Sequence, residues 1–357
     1  MGQEDLFDRN FISAVEKDGV LYWVTERAGY FMKMDLKTRT ASFLEPKWMG
    51  MDAMYGGWAI LMEEEGILYG IAGNGRFFFK YHILSGRAES YEIRLEKYLL
   101  HDYTAVCKQG DEICLLGYHM GCLLKIHCMT GEIKTEQLLE DMPMECEFAY
   151  AATNAVYNGI IRCFCHEQPV AVFYNMKDGS KEVIKLPMSL EHPLYVQETE
   201  RGFYFLNTSG DVFLWDSKTG DANKMFKNPY GEKEYYFAFL CIQNKKLWLL
   251  PCNGEKILSY DLETKTYQEF EKYPSGFAYQ DLKDMSKYGR PVEANGNIYF
   301  SMHTGNDIFC VDKKGYGYFL SAQWPGMEES VKQIREYMPS VVFEKDYPLQ
   351  LFFNLVG

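Results

Sequence analysis

The chain has 357 residues, and its 50 Asp and Glu outweigh its 37 Lys and Arg to give a formal net charge of −13. The sequence contains no run or stripe of basic residues that could bind phosphate groups. We therefore expect neither nucleic acid nor an anionic membrane surface as a partner. Hydrophobic residues make up 47% of the chain and aromatic residues 16%, a composition that supplies a core and favours strands.

The first residues, 1–6, are acidic and lack the basic-then-apolar layout of a signal peptide, so we expect a cytoplasmic protein. Its 10 Cys include no Cys-x-x-Cys pair, which predicts free thiols rather than zinc or thioredoxin-like sites. Cys163 and Cys165 are two positions apart on a predicted strand, and we expect both to face the same buried side. No cofactor and no metal site are predicted.

In chain order, one four-strand unit recurs seven times at a spacing of about 46 residues, the length of a propeller blade. Each unit contains a turn that opens with Asp, Asn or His and continues with Ser, Thr or Gly three or four residues later. Such residues accept backbone N–H bonds or adopt positive φ in tight turns. The opening residues are Asp35, His82, His127, Asn175, Asp216, Asp261 and Asp312.

A second turn column lies upstream in each unit and is glycine in six of the seven copies. Each of these residues precedes an aromatic or aliphatic strand that ends in another short turn. The column consists of Gly19, Gly66, Gly110, Gly159, Gly202, Lys245 and Gly296. Strands a to d of each unit therefore alternate with tight turns, and the predicted units span 11–45, 58–95, 102–139, 149–187, 194–227, 237–272 and 290–321.

These columns predict an all-β, seven-bladed β-propeller of four-stranded antiparallel blades over residues 1–322. A pair of β-sandwiches is the alternative, but it does not explain one pattern recurring seven times in register. Residues 214–220, Leu-Trp-Asp-Ser-Lys-Thr-Gly, resemble the end of a WD40 repeat, and Tyr-Asp-Leu-x-Thr at 260–264 is similar to YVTN-like and quinoprotein-like repeats. The resemblance implies the propeller fold and no particular activity.

Residues 323–357 fall outside the repeat and form the predicted C-terminal tail. Met327, Val331, Ile334 and Met338 recur at helical spacing, and Pro339 ends the predicted helix. An alternating apolar pattern at 349–355 then predicts a short strand. We expect this helix and strand to dock on the propeller, at the junction of blades 1 and 7 or over one end of the channel.

In a propeller the b–c turns and d–a loops share one face, at the mouth of the central channel, where ligands usually bind. Five of the seven histidines map to this face: His101, His119, His166, His192 and His303. Residues at the start of strand a lie nearest the axis. We therefore predict that a small-molecule site would involve His101, Asp102, Tyr150, His192, Tyr236 and Arg290. A salt-bridged plug that closes the channel is the alternative reading of the same residues.

Two functions remain open at this point. The first is a non-catalytic binding or scaffolding propeller that recognises a protein, peptide or glycan through its loop face. The second is an enzyme, a lyase, hydrolase or epimerase acting on a carbohydrate or small polar substrate at the channel mouth. The first is favoured because no catalytic motif stands out in the sequence.

Overall fold

The computed structural model describes residues 14–24, 31–44, 59–72, 77–92, 103–117, 122–138, 148–152, 156–157, 159–166, 168–231, 234–275, 277, 287–302, 307–326 and 329. Its strands form seven four-stranded antiparallel blades, which confirms the predicted propeller. Each blade begins and ends within three residues of its predicted span. Turn chemistry alone therefore located all seven units.

The strands of blades 1 to 3 are β1 Ala14–Lys17, β2 Val20–Val24, β3 Phe31–Asp35, β4 Thr40–Phe43, β5 Ala59–Glu64, β6 Ile67–Ala72, β7 Phe77–His82, β8 Arg87–Glu92, β9 Tyr103–Gln109, β10 Glu112–Gly117, β11 Cys122–His127 and β12 Ile133–Gln137. Blade 4 contains β13 Phe148–Ala152, β14 Val156–Tyr157, β15 Ile160–Cys165, β16 Val170–Asn175 and β17 Lys181–Lys185, followed by a 3₁₀ helix at Met188–Leu190. Strands β13 and β14 both pair with β15 and share the position of the inner strand. Blades 5 to 7 are β18 Pro193–Thr199, β19 Gly202–Asn207, β20 Val212–Trp215, β21 Ala222–Phe226, β22 Phe237–Gln243, β23 Lys246–Pro251, β24 Leu258–Asp261, β25 Tyr267–Glu269, β26 Val292–Ala294, β27 Asn297–Ser301, β28 Asp307–Val311 and β29 Gly317–Ser321.

The c–d turns are held by the side chains that the sequence predicted to open them. A side-chain oxygen of each Asp or Asn accepts backbone N–H groups two or three residues later in its own turn. The bonds are Lys37 N and Thr38 N to Asp35 at 2.9 and 2.7 Å, Lys177 N to Asn175 at 3.0 Å, Lys218 N to Asp216 at 2.8 Å, and Glu263 N and Thr264 N to Asp261, both at 2.9 Å. The predicted role of these residues is confirmed.

The a–b turns have the positive φ that their glycine column predicts. All six of its glycines have positive φ, where a Cβ would be strained, and Lys245 holds the seventh position at a φ of 64°. The shared backbone conformation explains why one residue type recurs there.

The core is a ring of seven apolar clusters, each formed by two neighbouring blades. Strand β2 shows how one blade serves two clusters: Leu21 and Trp23 pack toward blade 7, whereas Tyr22 and Val24 pack toward blade 2. Successive side chains of a strand point to opposite faces, so a strand between two neighbours must be apolar at every position. Cys163 and Cys165 lie buried in one cluster, as expected from their spacing.

Blades 4 and 5 depart from the purely antiparallel arrangement that the sequence predicted. Their inner strands, β13 and β18, run in parallel and pair through Ala151 with Val196 and Ala152 with Gln197. This short ladder joins the two blades into one nine-stranded sheet. All inner strands of a propeller run in the same direction, so neighbours that approach closely can pair only in parallel.

Blades 1 and 7 are joined by residues that follow the last strand. Gln323 lies beside β4, where its N–H donates to Arg39 O and its carbonyl accepts from Ala41 N, both at 2.8 Å. Trp324 packs edge-on against Trp23 with ring centroids 6.3 Å apart. We call residues 322–324 the clasp. The predicted tail helix at 327–338 and strand at 349–355 lie outside the described residues, except for Glu329, and therefore stay predictions.

Candidate binding site on the loop face

The face formed by b–c turns and d–a loops carries all the described residues of the predicted site. His101 and Asp102 lie outside the described residues, and only the backbone of Tyr150, within β13, is described. His192 and Tyr236 directly precede the inner strands β18 and β22, as predicted, and Arg290 precedes β26. Each of these three has a different described neighbour.

Arg290 acts electrostatically on a tyrosine of blade 5. Burial raises the pKa of Tyr195 well above its usual value, and the charge of Arg290 opposes that rise. Tyr195 belongs to the inner strand of blade 5, two blades away from Arg290 along the ring. The guanidinium therefore lies within electrostatic range of the inner strand of blade 5, and its position close to the axis stays a prediction.

His192 lies against His166, at the boundary between blades 4 and 5. The two imidazole centroids are 5.4 Å apart with an interplanar angle of 60°. His166 is buried, and its Nδ1 is 2.9 Å from the carbonyl oxygen of Pro193. The His192 N–H donates to the carbonyl of His166 at 3.2 Å. Backbone and side chain together thus hold this pair, which we call the histidine pair.

The backbone is strained at equivalent positions of blades 5 and 6. His192 has a φ of 52° and Tyr235 a φ of 54°. Both lie in the left-handed region, which residues other than Gly and Asn seldom adopt. Tyr235 N–H donates to Thr208 O of the preceding blade at 2.8 Å, as His192 does to His166. Strained residues with defined partners occur often at functional sites.

Tyr236 lines a pocket on blade 6. Its ring stacks on Tyr230 with centroids 4.4 Å apart and an interplanar angle of 13°. The pocket has a volume of about 290 Å³ and is completed by the b–c turn 253–256 and by Glu269. We call it the tyrosine pocket. It opens on the loop face, next to both the inner strand β22 and the outer strand β25 of blade 6.

Hydrogen bonds fix the two tyrosines. Tyr230 OH donates to Glu269 Oε1 at 2.8 Å, and Lys256 Nζ is 3.5 Å from Glu269 Oε2. Buried Asn228 shapes the loop that carries Tyr230: its Nδ2 donates to Ser209 O at 2.9 Å, and its Oδ1 accepts from Tyr230 N at 3.1 Å. The ring of Tyr230 is therefore held from both its backbone and its hydroxyl.

Gly254 determines how closely the b–c turn approaches Tyr236. A Cβ at Gly254 would lie 2.3 Å from Cε1 of the Tyr236 ring, which no real side chain tolerates. Buried Lys287 donates to the Gly254 carbonyl and holds the turn in this position. The floor of the pocket therefore depends on a residue without a side chain.

Both tyrosines stay neutral over the ordinary pH range. Burial raises the pKa of Tyr230, and its hydrogen bond to Glu269 raises it further. Burial also raises the pKa of Tyr236, against a backbone hydrogen bond from Glu255. The exposed carboxylates of Glu255 and Glu269 and the exposed ammonium of Lys256 supply the charge at the rim. The pocket thus offers an apolar wall beside charged hydrogen-bonding groups.

The sequence prediction selected Tyr236 for the site but not its partners Tyr230 and Glu269. The Asn253-Gly254 dipeptide gave a signal for the b–c turn, yet nothing in the sequence placed that turn against a tyrosine. His166 was mapped to the loop face without being selected for the site. Within the described ranges, no three His, Cys, Asp or Glu side chains converge as a closed metal site requires.

No family model matches the chain, and no curated protein matches it in sequence. Solved structures do match in fold. Virginiamycin B lyase from Staphylococcus aureus has a TM-score of 0.50 at 15% identity, covering 74% of this chain and 83% of the other. The computationally designed Ika8 protein has a TM-score of 0.54 at 11% identity, over 89% and 88%.

PorZ, a surface component of the type-IX secretion system of Porphyromonas gingivalis, has a TM-score of 0.53 at 11% identity. The match covers 88% of this chain but only 38% of PorZ. Identities this low show the propeller fold and carry no function across. None of the described helical residues belongs to a helix long and apolar enough to cross a bilayer. The cytoplasmic location stays a prediction.

Proposed function

We propose that this protein is a non-catalytic binding propeller that recognises a protein or peptide partner through its loop face. The observation that carries the proposal is the tyrosine pocket. Tyrosines held in place by hydrogen bonds are typical anchors of binding surfaces, because they bury a large area at little cost in side-chain entropy. A volume of about 290 Å³ would accommodate one long side chain of a partner.

Charge favours a partner segment that is basic. The chain carries a net charge of −13, which would attract positively charged partners and repel acidic ones. At the rim, Lys256 is paired with Glu269, which leaves Glu255 as an exposed carboxylate. A Lys or Arg side chain could place its stem along the tyrosine wall and its cation beside this carboxylate.

The test compares peptides and glycans on the purified full chain. Fluorescence polarisation would measure the dissociation constants of a labelled panel of basic, neutral and acidic peptides, with an oligosaccharide panel alongside. We expect basic peptides to bind, and Tyr230→Ala to weaken their binding about tenfold, as is typical of an anchor residue. Tyr316→Ala, which removes an exposed tyrosine from the opposite face, is the matched control.

Binding that is unchanged in Tyr230→Ala would show that the tyrosine pocket is not the anchor. Binding of oligosaccharides in place of basic peptides would identify the partner as a glycan and refute the charge argument. Circular dichroism on each variant separates lost binding from lost folding.

An enzyme acting on a carbohydrate or small polar substrate is the second candidate. The histidine pair favours it, since an imidazole whose Nδ1 is engaged by a carbonyl presents Nε2 as a proton acceptor. Turnover of a polar substrate by the wild type that disappears in His166→Asn would support this candidate over a purely binding role.

A further inference from the structure

We propose that His166 and His192 form a two-histidine site for a divalent transition-metal ion of the Zn²⁺, Ni²⁺ or Cu²⁺ class. The proposal does not depend on the tyrosine pocket or on its partner. It rests on the distance between the two rings, on the hydrogen bond that orients one of them, and on the backbone conformation that presents the other.

His166 has the orientation of a ligand that is held ready. The Pro193 carbonyl can only accept a hydrogen bond, so the Nδ1 atom 2.9 Å away must carry the ring proton. Nε2 is then the unprotonated nitrogen, which is the form that binds metals. A backbone carbonyl on the second ring nitrogen is the usual outer partner of a metal-bound histidine, because it fixes both tautomer and ring position.

The ring separation fits a shared ion. Two imidazoles bound to a tetrahedral ion through bonds of about 2.1 Å have their centroids roughly 5 Å apart. The observed separation is 5.4 Å. His166 is buried and held in place, whereas His192 is exposed, so its side chain can rotate about its own bonds to complete the chelate.

The backbone supports the same arrangement. His192 remains at a φ of 52° although Gly or Asn would be less strained there, and its N–H bonds the carbonyl of the histidine that it faces. The strained conformation places the His192 side chain on the His166 ring. Two imidazole nitrogens favour borderline transition metals over Mg²⁺ or Ca²⁺, which require oxygen ligands.

The described residues supply two ligands, which leaves positions on the ion open to water or to a donor group from a bound molecule. The site would therefore be weaker and more accessible than a closed structural zinc site.

The experiment is a titration of the full chain with Zn²⁺ and Ni²⁺, by calorimetry and by competition with a chromogenic chelator. The variants are His166→Asn and His192→Asn. At 166 the Asn amide can still donate to the Pro193 carbonyl, and at 192 Asn is the residue that best tolerates positive φ. Both changes thus remove an imidazole while retaining the local structure. His127→Asn, in a c–d turn on the opposite face, is the matched control.

We expect the wild type and His127→Asn to bind one ion with the same affinity, and each of the other two variants to bind about tenfold or more weakly. The metal should also raise the melting temperature of the wild type but not of the two site variants. The proposal is overturned if the wild type binds no ion, or if His166→Asn and His192→Asn titrate like the wild type. A loss in only one of them would also contradict it, because a chelate needs both rings.

Discussion

The clasp gives the sharpest test of how the propeller ring is closed. Each blade is built from one continuous stretch of chain, so none of the described strands is shared between blades 1 and 7 to lock them together. The contacts that join the two blades include their apolar cluster and the clasp. Gln323 contributes two backbone hydrogen bonds to the edge of blade 1, and Trp324 adds its ring to the cluster.

Two substitutions separate these contributions. Gln323→Pro removes the N–H that Arg39 O accepts, and the loss of one such bond should lower the free energy of unfolding by about 1 kcal/mol. Trp324→Ala removes a half-buried indole and its edge-on contact with Trp23. A fully buried Trp costs about 3–5 kcal/mol when truncated, so about 2 kcal/mol is expected for this one.

Gln323→Ala is the matched control, since it retains both backbone hydrogen bonds of an exposed residue and should change stability by less than about 0.5 kcal/mol. Urea unfolding followed by tryptophan fluorescence measures the free energies. Hydrogen exchange provides a local measurement, because the Ala41 amide that bonds Gln323 O should exchange faster in Trp324→Ala. Equal stability of Gln323→Pro and Gln323→Ala, or an unchanged Ala41 amide, would refute the account of ring closure.

Three further predictions follow from the turns and the tyrosine pocket. Asp216→Ala should lower the free energy of unfolding by about 0.5–2 kcal/mol, as loss of a comparable cap does, and unchanged urea unfolding would contradict its role in the turn. Backbone N–H bonds hold the pKa values of Asp35 and Asp261 below their ordinary value of 3.8, so these turns stabilise the fold above that pH. This contribution to the free energy of unfolding should disappear as the pH falls below 3.8 and passes through the lowered pKa values of the folded state. Asp35→Asn should flatten this part of a plot of stability against pH, measured by urea unfolding. Gly254→Ala should displace the Tyr236 ring and close the tyrosine pocket, which an altered ring-proton spectrum of that residue would report, whereas an unchanged spectrum would contradict the close approach.

The sequence by itself determined the number of blades, their boundaries and the chemistry of their turns. These features are local: an Asp that caps its own turn and a residue that adopts positive φ act on neighbours two to four positions away. They recur at each unit, so seven weak signals reinforce one another. The apolar residues at every position of β2 likewise follow from a strand buried on both faces.

Only the tertiary structure decided which side chains meet on the loop face. Tyr230 and Glu269 are 39 positions apart, and their hydrogen bond depends on the path of a d–a loop that no periodic pattern describes. His166 and His192 come from different segments. The strained backbone of His192 and the hydrogen bond from His166 to the Pro193 carbonyl bring them together. Such contacts arise from loop geometry and side-chain rotamers, which the spacing of residues along the chain does not encode. The strand period could therefore place Tyr236 on the correct face but could not say which neighbour its ring would contact.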